Sequence, residues 1–160
     1  MAARRWAPVA VAALAAVAVG GLGALVTDLG PWYYGLRKPA WQPPDWLFGP
    51  VWTLIFGLAA LAAVAAWKRA PDRDARVAIL WLFAVNGLLN ILWSALFFRF
   101  HRPDWALAEV AFLWISVLAP ILVLAPWSKV ASWLMFPYLV WVGFAAVLNY
   151  AVVQLNAPFR

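Results

Sequence analysis

Residues 32–52 read WYYGLRKPAWQPPDWLFGPVW. Four tryptophans, two tyrosines and four prolines share this segment with two adjacent cations, Arg37 and Lys38. Pro39, Pro43 and Pro44 each fix a φ angle and lack an amide donor, so the centre reads as a stiff loop. The chain on either side is far more apolar. Five runs reach the roughly 20 residues that a helix needs to cross a bilayer core. They are Trp6–Thr27, Trp46–Trp67, Val77–Phe98, Trp105–Ala125 and Val130–Gln154. The runs are continuous, whereas barrel strands alternate polar with apolar. The expected fold is therefore an all-α integral membrane protein. It is one domain, a bundle of five transmembrane helices with a Trp/Pro-rich lid loop between helices one and two.

Composition agrees. Of 160 residues, 68% are hydrophobic and 11% are charged, against about 25% charged in soluble domains. Cysteine is absent, and one histidine and six carboxylates leave little for a metal centre. No metal is expected. The serines Ser94, Ser116, Ser128 and Ser132 have no histidine near them in sequence, and lone His101 is read as a solvated loop residue. A nucleophilic triad is not supported. The net charge of +6 sits between the apolar runs, as topological anchors do. No basic polar face is present, so nucleic acid is not an expected partner. Membrane lipid is.

The first run follows Arg4 and Arg5 but exceeds the 7–15 residues of a signal core, as an order of magnitude, and is read as a mature helix. Ala12, Ala16, Gly20 and Ala24 give it a small-residue stripe for close helix contact. Seven cations (Arg4, Arg5, Lys68, Arg69, Arg73, Arg76, Lys129) lie on the N-terminal side and five (Arg37, Lys38, Arg99, Arg102, Arg160) on the other. That bias favours a cytoplasmic N-terminus. A helical bundle makes the inner (cell) membrane the expected location.

Tryptophans near run ends (Trp6, Trp67, Trp105, Trp127, Trp133) fit an interfacial aromatic belt. Trp93 and Trp141 lie too deep for that. Asn86, Asn90, Trp93 and Phe97 share one face of the third run, and Tyr138, Trp141, Ala145 and Asn149 one face of the fifth. Trp52 and Phe56 are one turn apart on the second. These faces suit either an aromatic ligand cavity or interhelical hydrogen bonding. Pro120 and Pro137 are expected to bend their helices, which can open such a cavity. Glu109, the only acid deep in a run, is read as a surface acid reaching the interface.

The segment around Trp32, Tyr33, Leu36, Lys38, Pro39, Trp41, Pro43, Pro44, Trp46, Pro50 and Trp52 strongly resembles the signature of the tryptophan-rich sensory protein family, TspO/MBR. The family is also called the translocator protein or peripheral benzodiazepine receptor family. Asn90 with Trp93, Phe97-Phe98, and PYLVWVGFAAVLNY (residues 137–150) extend the resemblance over nearly the whole chain. It implies a homodimer of five-helix bundles, each with a cavity covered by the loop between helices one and two. It implies porphyrin ligands such as protoporphyrin IX and haem, or related flat hydrophobic molecules, and no obligatory cofactor. By position it places ligand contacts on Tyr33, Trp52, Asn90, Trp93, Trp105, Trp141, Ala145 and Leu148. Trp32, Tyr33 and Trp41 are expected to cover a flat ring system, and Arg37 and Lys38 to meet propionates.

Two departures matter. Phe56 stands where the family usually has tyrosine, so a hydroxyl donor is missing. AVVQLN follows Tyr150, so the basic residue of the sterol pattern is absent and sterol binding is not expected. The function implied is a receptor or sensor of tetrapyrroles. Its rivals are light-dependent degradation of protoporphyrin, with Trp52 and Trp141 as the residues oxidised, and transport. The lack of an internal repeat weighs against alternating access.

Overall fold

The computed structural model describes residues 2–159. The side chains of Arg4 and Arg5 and all of Arg160, counted above for orientation, lie outside the described residues. The described residues form six α-helices: α1 (Ala2–Val26), α2 (Pro31–Gly35), α3 (Asp45–Arg69), α4 (Arg73–Ser94), α5 (Pro103–Leu124) and α6 (Lys129–Asn156). α4 runs into a π turn, Ala95–Arg99. Five helices are long and apolar enough to cross a membrane, all but α2.

Helix ends lie slightly outside the apolar runs because polar residues make the caps. The Asp72 side chain accepts from the Ala75 amide at 2.8 Å and starts α4. Ser128 accepts from the Ala131 amide at 3.2 Å and starts α6. Prolines open α2 and α5, where a missing amide donor is harmless. The charged 68–76 segment thus forms a cap and a turn, with the Arg76 guanidinium 5.4 Å over the Trp67 ring.

The long helices close into a ring. α5 lies between α4 and α6, α6 packs on α3, α3 on α1, and α1 returns to α4. The small residues of α1 face this contact. A Cβ at Gly20 would meet the Phe56 ring at 3.4 Å, and one at Gly87 on α4 would meet Val19 at 2.8 Å. Ala12, Ala16 and Gly20 are half-buried, while Ala24 is exposed.

One half of the ring is solid. Ala62, Ala66, Leu113, Val117, Leu124, Ala131 and Met135 are buried there and pack together. Alanines let the backbones approach, which is how membrane helices gain dispersion contact. Polar cross-links join the helices. Asn86 donates to the Ser116 hydroxyl at 2.9 Å, and Asn90 donates to the Tyr138 hydroxyl at 3.1 Å. Asn149 donates to the Pro103 carbonyl at 2.9 Å. Such bonds contribute about 0.6 kcal/mol each on average.

Two expectations are corrected. Glu109 is not a surface acid: it is 7% exposed, and neither carboxyl oxygen has a hydrogen-bond partner among the described residues. It lies two turns from Ser116 on the same face of α5, and that face points into the bundle. His101 is not simply solvated either. Its ring stacks on Trp32 at 4.2 Å, and its φ of 54° closes the π turn.

Candidate functional site

The other half of the ring is hollow. A cavity of about 620 Å³ lies under the 27–45 segment, within the size range of small-molecule sites. α1 supplies Gly20, Gly23 and Ala24, and Thr27 follows directly after it; all four line the space without filling it. α3 contributes Asp45, Trp46, Phe48, Gly49, Trp52, Thr53 and Phe56. Asn90, Trp93 and Ser94 come from α4, and Phe97 and Phe98 from the π turn. α6 contributes Trp141, Ala145, Leu148, Asn149 and Val152. Neither Pro120 nor Pro137 lines the space. Across the void, small residues on α1 face large aromatics on α3, α4 and α6.

The aromatic rings brace one another. Trp52 stacks on Phe56 at 5.4 Å and meets Trp141 edge-on at 6.4 Å. Trp93 and Phe97 lie 5.4 Å apart. The Trp93 indole donates to Asn149 Oδ1 at 3.3 Å. The Trp141 indole nitrogen is buried and has no acceptor among the described residues. The cavity wall therefore offers mainly aromatic faces.

The polar faces divide between helix joining and the cavity lining. Asn86 serves only to join helices, since it is absent from the lining. Asn90, Trp93 and Asn149 line the cavity and also cross-link it. Of the contacts expected from the resemblance, Tyr33, Trp52, Asn90, Trp93, Trp141, Ala145 and Leu148 line the cavity, as does Phe56. Trp105 does not. Its ring is 55% exposed on α5, under the Arg102 guanidinium at 4.1 Å. α5 sits behind α4 and α6, so it contributes nothing to the lining.

The lid is built differently from the expected aromatic cover. Tyr33 is buried, and its hydroxyl donates to Asp45 Oδ1 at 2.7 Å. Burial, and then this carboxylate, raise the Tyr33 phenol above its ordinary pKa. Trp32 turns away to His101 and Phe97. Trp41 packs outside, 5.9 Å from Phe144. Arg37 is held by its backbone: its amide donates to Asn156 Oδ1, and its carbonyl accepts from Asn156 Nδ2, both at 2.8 Å. Pro39 accepts a turn bond from the Gln42 amide at 3.0 Å, and Pro44 is the residue before α3. Pro43 lies between them. None of Trp32, Arg37, Pro39, Trp41, Pro43 and Pro44 touches the cavity, whereas Lys38 does.

Leu29, Leu36 and Gln42 line the lid side and were not foreseen. Gly20, Gly23, Ala24 and Thr27 were legible as an i, i+3, i+4, i+7 face of small and polar residues on an otherwise oily helix. Phe98 enters the lining through the π turn, an irregularity common at functional sites.

The fold and site define a class: a membrane-embedded bundle with five spanning helices and an aromatic-lined cavity under a proline-rich loop. The sequence pattern of the TspO/MBR family matches residues 10–155, and the chain belongs to that family. It is 44% identical over 146 residues to the tryptophan-rich protein TspO of Chlorobaculum tepidum, covering 88% of this chain and 90% of that one. It is 40% identical to the protein of the same name in Archaeoglobus fulgidus, over 90% of this chain and 94% of that one. The human translocator protein is 32% identical over 81% of this chain and 77% of its own length.

Proposed function

We propose that this membrane sensor binds porphyrins, protoporphyrin IX and haem first among them, in the cavity beneath the lid, and so adjusts tetrapyrrole handling or a stress response. The observation that carries the proposal is the pairing of a 620 Å³ void with the indole and phenyl rings of Trp52, Phe56, Trp93, Phe97 and Trp141. A flat apolar macrocycle gains dispersion and offset stacking on such faces. The small α1 wall leaves room for its width. Lys38 stands at the polar end, where a propionate would meet it. The protein is assigned to the inner membrane as a homodimer, with the N-terminus cytoplasmic and the lid on the opposite face.

The test is a dark titration of the detergent-solubilised chain with protoporphyrin IX, read by tryptophan quenching. Saturation at low micromolar ligand is expected. A linear, unsaturable response would reduce the interaction to detergent partitioning and end the proposal.

A second reading, light-dependent degradation of protoporphyrin, is favoured by one observation. Trp52 and Trp141 lie 6.4 Å apart, nearly perpendicular, with both rings at the cavity. A bound, excited porphyrin would have two oxidisable indoles at contact distance. Bleaching under light should be faster than for free porphyrin with tryptophan, and should fall to that rate in W52F/W141F. Equal rates in all three samples would dismiss it.

A further inference from the structure

We propose that Tyr33, Tyr34 and Asp45 form a subsite for an organic ammonium group, which the chain's own Lys38 fills in this structure. Lys38 Nζ lies 3.6 Å from the centroid of the Tyr33 ring and 5.2 Å from that of Tyr34. The two rings stand 5.5 Å apart at 69°, so they make two walls of a corner. Asp45 closes a third side, with Oδ2 3.9 Å from the ammonium. That distance is too long for a hydrogen bond. Asp45 Oδ1 is committed elsewhere, to the Tyr33 hydroxyl at 2.7 Å and the Gln42 amide at 3.2 Å. The ammonium is thus held by ring faces and by charge, not by directional N–H bonds.

A site of that kind suits an alkylated ammonium, which has no N–H to donate. Aromatic walls with a carboxylate are how quaternary ammonium groups are recognised. Lysine is a tethered stand-in for such a group, and its flexible stem lets it leave. Tyr33, Lys38 and Asp45 all line the cavity. An ammonium seated in the corner would therefore lead its apolar body under the lid, towards Trp52 and Trp93. The ligand class is an amphiphile with a hydrophobic body and a trialkylammonium end. The proposal rests on the reading that the cavity takes hydrophobic ligands, and adds a charge preference to it. The same Lys38 that leaves the corner is free to meet an anion, so one mouth can serve both signs.

The experiment uses the full chain in a non-ionic detergent and two probes of one shape. One is a pyrenylbutyl trimethylammonium, the other its neutral tert-butyl isostere, and binding is read by energy transfer from tryptophan. Lys38→Met should raise the preference for the ammonium probe over its neutral isostere roughly tenfold by vacating the corner. Asp45→Asn added to it should remove the gain. Arg37→Met deletes the same charge one residue away and should change the preference less than about twofold. If the Asp45 variant fails to fold, Tyr34→Leu in the Lys38→Met background replaces it, and a loss of about threefold in preference is expected. Equal shifts in K38M and R37M, or an unaltered preference in K38M, would overturn the subsite. Saturable neutral-probe binding in those same samples would leave the cavity reading intact. Failure of both probes to saturate would overturn both. Displacement of the bound probe by a short-chain phosphatidylcholine would assign the native ammonium to a lipid headgroup. Displacement by dodecyltrimethylammonium alone would assign it to a free amphiphile.

Discussion

The two halves of the bundle use small residues to opposite ends. Away from the lid, Ala62, Ala66 and Ala131 let backbones close, and Leu113, Val117 and Met135 fill what remains. Beneath the lid, α1 again presents small residues, but they face Trp52, Trp93 and Trp141 across an open space. Small residues close one half and leave the other open. The difference lies in what stands opposite. Alanine against leucine or methionine collapses into contact. Glycine against rings that are braced by one another, with Trp93 also tied to Asn149, does not, because the rings cannot move inward without breaking those contacts. Dispersion gained by closing would have to exceed the cost of leaving those polar groups unpaired.

The largest effect should come from the closed half. Leu113→Ala, at a position 1% exposed, should cost about 2 kcal/mol of stability. That is the low end for such a deletion, because the unfolded reference in a membrane is also apolar and mainly packing is lost. Thermal unfolding in detergent should report it, with porphyrin affinity unchanged. A loss of affinity matching the loss of stability would erase the distinction between the halves.

The converse change sits in the open half. Ala145→Leu fills part of the cavity with side chain and should weaken porphyrin binding about tenfold, or roughly 1.4 kcal/mol, with the melting temperature held or raised. A fall in melting temperature without weaker binding would mean the cavity is smaller than the geometry shows.

Next comes the lid. Asn156→Ala removes both bonds to the Arg37 backbone, at about 1 kcal/mol each. Hydrogen exchange at the Arg37 amide should quicken by one to two orders of magnitude, as a rough figure from that energy, while amides in α5 keep their protection. Phe56→Tyr should have a smaller effect. It restores a hydroxyl at the cavity wall and should tighten ligands bearing a carbonyl or carboxylate by a few-fold, as expected of one hydrogen bond. Ligands without an acceptor should not respond.

The smallest effect should be of pH on the Tyr33–Asp45 contact. The raised phenol pKa means the fold favours the protonated form. That contribution is fully present below the ordinary tyrosine value of about 10 and is lost as pH rises through the higher folded value. Lid protection by Tyr33 should therefore be flat from about pH 6 to 9. A step within that window would point to a different titrating group.

Much of this was legible in advance. The five spans were readable from length and hydropathy, with ends two to four residues short at several places, because Asp45, Asp72 and Arg73 are polar yet belong to caps and first turns. α2 has five residues, too few to show a period, and went unread. Phasing alone singled out Trp52, Asn90, Trp93, Trp141 and Ala145, since a helix face is a property of spacing. Trp105 and Glu109 show the limit. Spacing orders residues around one helix but does not say which direction that helix turns to its neighbours.

What the chain of residues determined by itself is the solvent, the number of crossings and the stiffness of the lid. Those follow from local quantities: transfer of apolar side chains, the length of a helical rise and the fixed φ of proline. What only the tertiary structure decided is which small residues close and which stay open, and where the lid side chains point. Trp32 and Trp41 lie outside the cavity, while Lys38 is at its mouth between Tyr33 and Asp45. That outcome depends on contacts between residues far apart in sequence, such as Arg37 with Asn156. No local rule contains it.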